Sequence, residues 1–176
     1  MSDDDDEDYL DKSPAAARMG KAAEYLVAAS AILATGGELN VSTSLVDDEG
    51  VDLVFHRRGS SATLAVQVKA RMSTGTQVQR GRLMGFVRSQ TFQPRTDLDV
   101  LFVAVDVERG AIMTAWLIPS GTFAEMTEPN SRGRRRFSAS MKPDSKDRWT
   151  PFRLTDAGLP SRILTRLADL ENPGAR

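Results

Sequence analysis

The stretch Gly50-Val51-Asp52-Leu53-Val54-Phe55-His56-Arg57-Arg58-Gly59-Ser60-Ser61-Ala62-Thr63-Leu64-Ala65-Val66-Gln67-Val68-Lys69 decides how this chain is read. It consists of two alternating runs separated by Gly59-Ser60-Ser61, the pattern of two strands joined through a turn. On the first run Leu53 and Phe55 share one face, while Asp52, Val54 and His56 share the other. On the second, Leu64, Val66 and Val68 oppose Thr63, Ala65, Gln67 and Lys69. Pairing through the Gly59 turn puts Asp52 at the same end of the ribbon as Gln67 and Lys69. A carboxylate, an amide oxygen and an ammonium then converge.

That trio suits phosphodiester hydrolysis. A carboxylate and a neutral oxygen can hold Mg²⁺, which takes few protein oxygens and keeps several waters. The metal lowers the pKa of a bound water and neutralises charge developing on phosphorus. A lysine beside it orients the attacking water or stabilises the same charge. His56 stands about 13 Å along the strand from Asp52, too far for direct chemistry with it, and reads as structural or as a peripheral substrate contact.

Outward from this ribbon the elements follow in order. Ser13 reads as an N-cap with Pro14 at the first helical position, opening a helix to about Thr35 that stops at Gly36-Gly37. Leu39 to Leu45, Val51 to Arg57 and Thr63 to Ala70 are the first three strands, with Asp48-Glu49-Gly50 as the first intervening turn. Within Thr76 to Thr91 a helix is expected to carry Leu83, Met84, Phe86 and Val87. Asp99 to Val107 and Ile112 to Ile118 form a hairpin through Glu108-Arg109-Gly110. Pro119 to Met126 is a short helix, Arg136 to Met141 a further strand, and Thr155 to Leu170 an amphipathic closing helix. The expectation is a single α/β domain over residues 13–171, with residues 129–153 a basic, loop-rich segment, between an acidic tail (1–12) and a short C-terminal tail (172–176).

Composition narrows the chemistry. The chain has 176 residues, 40% hydrophobic and 27% charged, as in soluble globular domains. No cysteine and one histidine exclude disulfides, thiolate nucleophiles, iron–sulfur clusters and two-histidine zinc sites. The longest apolar run, Tyr25 to Ala34, is too short for a bilayer span, and the N-terminus is acidic where a signal peptide is basic. A cytoplasmic protein without membrane contact is expected. The net charge of -1 conceals an asymmetry: seven acids occupy the first eleven residues, leaving 23 basic against 17 acidic groups elsewhere. No acid lies between Asp52 and Asp97, where Arg57, Arg58, Lys69, Arg71, Arg80, Arg82, Arg88 and Arg95 stand. A second basic group surrounds Arg134-Arg135-Arg136. Basic segments flanking a candidate metal site are the footprint expected for a phosphate backbone. Arg57, Arg58, Arg71, Arg80, Arg82, Arg134, Arg135 and Arg136 are the candidate nucleic-acid contacts. Phe137, Trp149 and Phe152 fit core packing better than base stacking.

Asp52, fourteen intervening residues, then Gln67-Val68-Lys69 resembles the core of the PD-(D/E)XK nuclease superfamily, in the "GxD … QxK" form of Mrr-like restriction enzymes and some homing endonucleases. Glu24, after Gly20-Lys21-Ala22-Ala23, matches the carboxylate many members carry on the helix before the sheet. Asp99 to Pro119, ending Trp116-Leu117-Ile118-Pro119, resembles the strands that follow, so the likeness spans roughly residues 15–125. It implies a restriction endonuclease-like core, a central mixed β-sheet flanked by helices. It implies a catalytic set of Glu24, Asp52, Gln67 and Lys69. Mg²⁺, replaceable by Mn²⁺, would be held by Asp52, Gln67, the Val68 backbone carbonyl and Glu24 through water. Gln67 stands where members usually have an acid, leaving two carboxylates instead of three. The implied activity is Mg²⁺-dependent DNA endonuclease; the alternative is an inactive nuclease-fold protein serving as a nucleic-acid-binding or assembly module. A homodimer, and a partner protein supplying target specificity, follow only by analogy with nucleases that cut two strands.

Overall fold

The computed structural model describes residues 13–44 and 50–174. The acidic tail and the Asp48-Glu49 part of the first turn lie outside the described residues. The elements run α1 (Pro14–Ala34), β1 (Leu39–Thr43), β2 (Leu53–Arg57), β3 (Thr63–Met72), α2 (Thr76–Gln79), β4 (Arg82–Arg88), β5 (Leu98–Asp106), β6 (Ala111–Pro119), α3 (Ser120–Met126) and β7 (Arg134–Ser140). A 3₁₀ turn (Thr150–Phe152), β8 (Arg153–Leu154) and α4 (Gly158–Glu171) complete the chain.

One mixed sheet of six strands, in the order β1-β2-β3-β5-β6-β8, forms the centre. Its neighbours are antiparallel except β3 and β5, which run parallel. A parallel pair needs a crossover, and here the crossover carries α2 and β4. Strand β5 is buried along nearly its whole length, as its near-continuous apolar sequence requires of a strand covered on both faces.

Helices α1 and α4 cover one face. Ala23, Val27 and Ala31 of α1 and Leu159, Ile163 and Leu167 of α4 pack with Leu53, Phe55, Leu64, Val66, Val68, Leu101 and Val103. Ser13 caps α1 as expected, its Oγ accepting the Ala16 N–H at 3.1 Å, with Pro14 at the first position. The opposite face is covered by a two-stranded sheet, β4 with β7, together with α3 and Trp149. Phe102 and Phe137 stack there at 3.9 Å with rings 6° apart, and Trp116, Phe123 and Trp149 surround them. Phe137 and Trp149 are therefore core, as their sequence setting favoured.

The helix expected to carry Leu83, Met84, Phe86 and Val87 is instead strand β4; only Thr76–Gln79 is helical. All four residues are buried, so the segment is apolar on both faces and loses the period that separates strand from helix. Its partner β7 lies 46 or more residues downstream, with Arg82 opposite Ser140 and Arg88 opposite Arg134. Gly85 at the centre of β4 has a steric reason. A Cβ there would meet a Phe102 ring carbon at 2.7 Å. The β5–β6 hairpin turns at Gly110, φ 58°, as read from Glu108-Arg109-Gly110.

Candidate functional site

The β2–β3 ladder pairs Leu53 with Val66, and the Asp52 N–H reaches the Val66 carbonyl at 3.0 Å. Extending that register puts Asp52 opposite Gln67. Beyond this point β2 ends while β3 continues to Met72. The Asp52 side chain takes over the ladder: Oδ2 accepts the Val68 N–H at 2.6 Å. A short bond to an ionised carboxylate is among the stronger hydrogen bonds available. It fixes the carboxylate against the Gln67-Val68-Lys69 segment. Since N–H and C=O of one strand residue point to the same side, the Val68 carbonyl faces the region occupied by Asp52.

Gln67 is buried, 6% exposed, and lies on the same strand face as Lys69, two residues further. A glycine cradles it. Gly50 has φ 69°, and a Cβ on it would stand 2.7 Å from Gln67 Nε2 and 3.9 Å from Oε1. The side chain is thus wedged with its nitrogen toward Gly50 and its oxygen further away. Lys69 passes beneath the β4–β7 layer, where a Cβ at Gly85 would lie 3.7 Å from Lys69 Cβ.

Glu24 comes from α1 and is buried, 9% exposed, one turn from the exposed Lys21. Lys21 Nζ and Glu24 Oε2 are 2.5 Å apart. The two residues have the i, i+3 spacing of an ordinary helix-surface ion pair, but this pair lies close enough to Asp52 to feel its charge. The bond from Glu24, opposed by desolvation and reinforced by the Glu24 and Asp52 charges, holds the Lys21 ammonium above its ordinary pKa. Lys21 therefore feels both candidate carboxylates. Sequence reading passed over it as a site residue because its spacing to Glu24 is also that of an ordinary helix-surface ion pair.

The arginines divide. Arg57 and Arg58 stand at the far end of β2, about 16–20 Å from Asp52 at strand rise; Arg57 pairs with Glu38 at 2.7 Å, and Arg57 and Arg58 line a shallow depression with Ile32, Asn40 and His56. Arg135 points inward and caps α3, its Nη1 donating to the Ala124 carbonyl at 3.0 Å and to the Thr127 carbonyl. Arg57 and Arg58 thus lie away from the Asp52 end, and the Arg135 guanidinium is taken up by α3. Arg71 continues the strand face of Gln67 and Lys69, its Nη1 donating to the Ala70 carbonyl at 2.8 Å. Arg80 is exposed in the turn before β4. Arg82, Arg134 and Arg136 lie on the outward face of the β4–β7 ribbon, alternating with the inward Leu83, Gly85, Val87, Phe137 and Ala139.

Among the described residues no cluster of three or more His, Cys, Asp or Glu could hold a metal ion. No helix among them is long and apolar enough to cross a membrane. No protein-family model matches the chain, and no curated protein matches it. A solved structure of a bacterial homing endonuclease, I-Ssp6803I, is similar over 83% of this chain and 93% of that one, with 23% identity and a TM-score of 0.49. At that distance the chemistry has to be argued from the residues themselves.

Proposed function

We propose that this protein is a metal-dependent endonuclease acting on DNA. The observation that carries the reading is the 2.6 Å bond from the Val68 N–H to Asp52 Oδ2, which holds a carboxylate against Gln67 and Lys69. The donor set fits Mg²⁺ better than a transition metal, for it is oxygen only: Asp52, the Gln67 amide, the Val68 carbonyl and Glu24 through water. The fixed Asp52 carboxylate and the wedged Gln67 amide support such a site, since neither side chain needs ordering when a cation arrives. When bound, the metal would activate water and neutralise charge on the scissile phosphate. Lys69, beside them on the same strand face, holds and orients the attacking water or donates to a phosphate oxygen. Lys21 pairs with Glu24 at 2.5 Å and fixes its direction.

The test is cleavage of supercoiled and linear DNA with Mg²⁺ or Mn²⁺. Wild-type protein nicks or cuts; Asp52→Ala and Lys69→Ala do not. Cutting that survives in both variants refutes the assignment. A second reading is favoured by one observation, that the third-strand acid is replaced by Gln67, leaving two carboxylates. On that reading the fold binds nucleic acid without cutting it. Calorimetric titration with Mg²⁺ or Mn²⁺ separates the two: heat of binding lost in Asp52→Ala supports the nuclease, and no heat in wild type supports the binding module.

A further inference from the structure

We propose that Lys21 is an exchangeable cation of the candidate site: its ammonium competes with a divalent ion for Glu24 beside Asp52, and passes to a DNA phosphate when that ion binds. The proposal rests on the metal-dependent nuclease reading above and adds to it a residue that governs both metal affinity and DNA contact.

The charges call for such a group. Glu24 keeps only 11% of its side chain in solvent, and Asp52 lies close enough for both carboxylates to act on Lys21. A carboxylate taken out of water beside a second one is costly unless a cation balances it. Lys21 supplies that charge, donating through Nζ to Glu24 Oε2 at 2.5 Å. A divalent ion at the same carboxylates repels the ammonium and competes with it for oxygen.

The pair is also built to part. Lys21 keeps 51% of its side chain in solvent and reaches Glu24 through one oxygen. Arg166, by contrast, is 13% exposed and engages both oxygens of Asp99. A guanidinium fork holds its partner in one geometry, whereas an ammonium on a flexible four-carbon stem turns readily between acceptors. The helix around Lys21 leaves room for that movement. Ala17 and Ala22 are exposed, and no atom lies within 4 Å of the Cβ position at Gly20. From Ser13 to Ala23 the chain carries Arg18 and Lys21 and no acid. Turned away from Glu24, the ammonium meets no carboxylate on the preceding turns of its own helix. A phosphate oxygen is the acceptor that DNA provides.

The experiment has two readouts, both on the full chain. Calorimetric titration with Mg²⁺, without DNA, compares wild type with Lys21→Met and Arg18→Met. Lys21→Met should bind Mg²⁺ about fivefold or more tightly than wild type, because a competing charge is gone. Arg18→Met removes the same charge one turn earlier and should bind Mg²⁺ like wild type. The second readout is duplex DNA binding at several salt concentrations in a Lys69→Ala background, which keeps the metal ligands and should not cut. With Mg²⁺ present, adding Lys21→Met should lower the salt slope by about 0.9, the loss of one phosphate contact. Lys21→Arg should keep that contact. Without Mg²⁺ the difference in slope should shrink, because Lys21 then stays with Glu24. Thermal melts verify the fold, and Lys21→Gln, which keeps a donor for Glu24, takes the place of Lys21→Met if the latter unfolds. An ion pair that only orients Glu24 predicts the reverse, since its loss would loosen a ligand and weaken Mg²⁺ binding. Unchanged or weaker Mg²⁺ affinity in Lys21→Met, an equal gain in Arg18→Met, or a slope difference indifferent to Mg²⁺ overturns this proposal and leaves the nuclease reading intact. Mg²⁺ heat absent from both wild type and Lys21→Met overturns the two together.

Discussion

Asp99 and Asp52 flank the same strand at neighbouring positions, yet their surroundings differ in kind. Asp99 is in register with Val66 on the β5 side, and Asp52 stands opposite Gln67 on the β2 side. Asp99 is fully buried toward the helices, where Arg166 of α4 grips it through two bonds of 2.7 and 2.9 Å. Arg166 also donates to the Thr96 carbonyl at 3.0 Å. Burial pushes the Asp99 carboxyl upward, and the two bonds work against that push while holding Arg166 firmly protonated. Asp52 is only partly buried and is positioned by a backbone N–H. A carboxylate whose two oxygens are both engaged by one guanidinium fastens a helix. A carboxylate oriented by the backbone at the open end of a ladder can face a ligand.

Breaking each acid in turn separates the two uses. Asp52→Asn should lower DNA cleavage about a thousandfold, the scale on which a preorganised charge-stabilising group acts. Its urea unfolding midpoint should stay close to wild type. Asp99→Asn should do the opposite. It leaves Arg166 partly buried against a neutral amide and should cost about 3–5 kcal/mol in urea unfolding. Cleavage per folded molecule should be preserved. Equal effects of the two substitutions on both readouts would remove the distinction.

Gly50→Ala probes the Asp52 end by sterics. The new methyl must sit at φ 69° and meet Gln67 Nε2 at 2.7 Å. Left-handed backbone costs about 1–2 kcal/mol for a residue with a Cβ, and moving Gln67 should also weaken Mg²⁺ binding in calorimetry. Gly20, with no atom within 4 Å of its Cβ position, supplies the control. Gly20→Ala sits inside α1 and should raise stability by up to about 1 kcal/mol.

The half of the molecule around β2 and β3 was legible because its sequence is locally consistent. Ser13-Pro14 opens a helix, Gly59 turns a ribbon, and alternation assigns Asp52, Gln67 and Lys69 to one end. The β4–β7 half was not legible in the same way. Leu83, Met84, Phe86 and Val87 are all buried, and nothing near them in sequence names a partner 46 or more residues away. Arg135 reads as one of three equivalent surface arginines, yet strand alternation turns it inward to cap α3. The arginines at 57 and 58 belong to the same charge run as Lys69, but the strand carries them to the other end of the sheet. Charge counted along the chain is not charge counted over a surface.

Acid titration tests how the ribbon side is fastened. Asp147 accepts the N–H of Ser140, at the end of β7, at 2.8 Å and that of Trp149 at 3.0 Å. Desolvation pushes this carboxyl up, but those bonds and the Ser145 and Thr150 hydroxyls outweigh it and hold the group below 3.8. A carboxyl lowered by folding adds stability above its unfolded pKa and loses it as pH falls through the folded value. Below about pH 4 the wild type should therefore lose stability faster than Asp147→Asn, with tryptophan fluorescence reporting Trp149. Parallel pH profiles for the two proteins would show that Asp147 does not fasten this end.

The smallest effect concerns the seven acids of residues 1–12, which lie outside the described residues. Their composition concentrates negative charge in one short stretch. Joined to a domain on which Arg82 and Arg88 are exposed, they should compete with a phosphate backbone for the same positive field. Such competition is electrostatic and so depends on ionic strength. The Debye length is about 30 Å at 0.01 M salt and about 8 Å at 0.15 M. Deleting residues 1–12 should tighten DNA binding severalfold at the lower concentration and hardly at all at the higher. The gain should shrink in the Arg82→Ala, Arg88→Ala protein, where the competed field is weaker. A gain of equal size at every salt concentration would mean that the tail does not compete for the basic surface by charge.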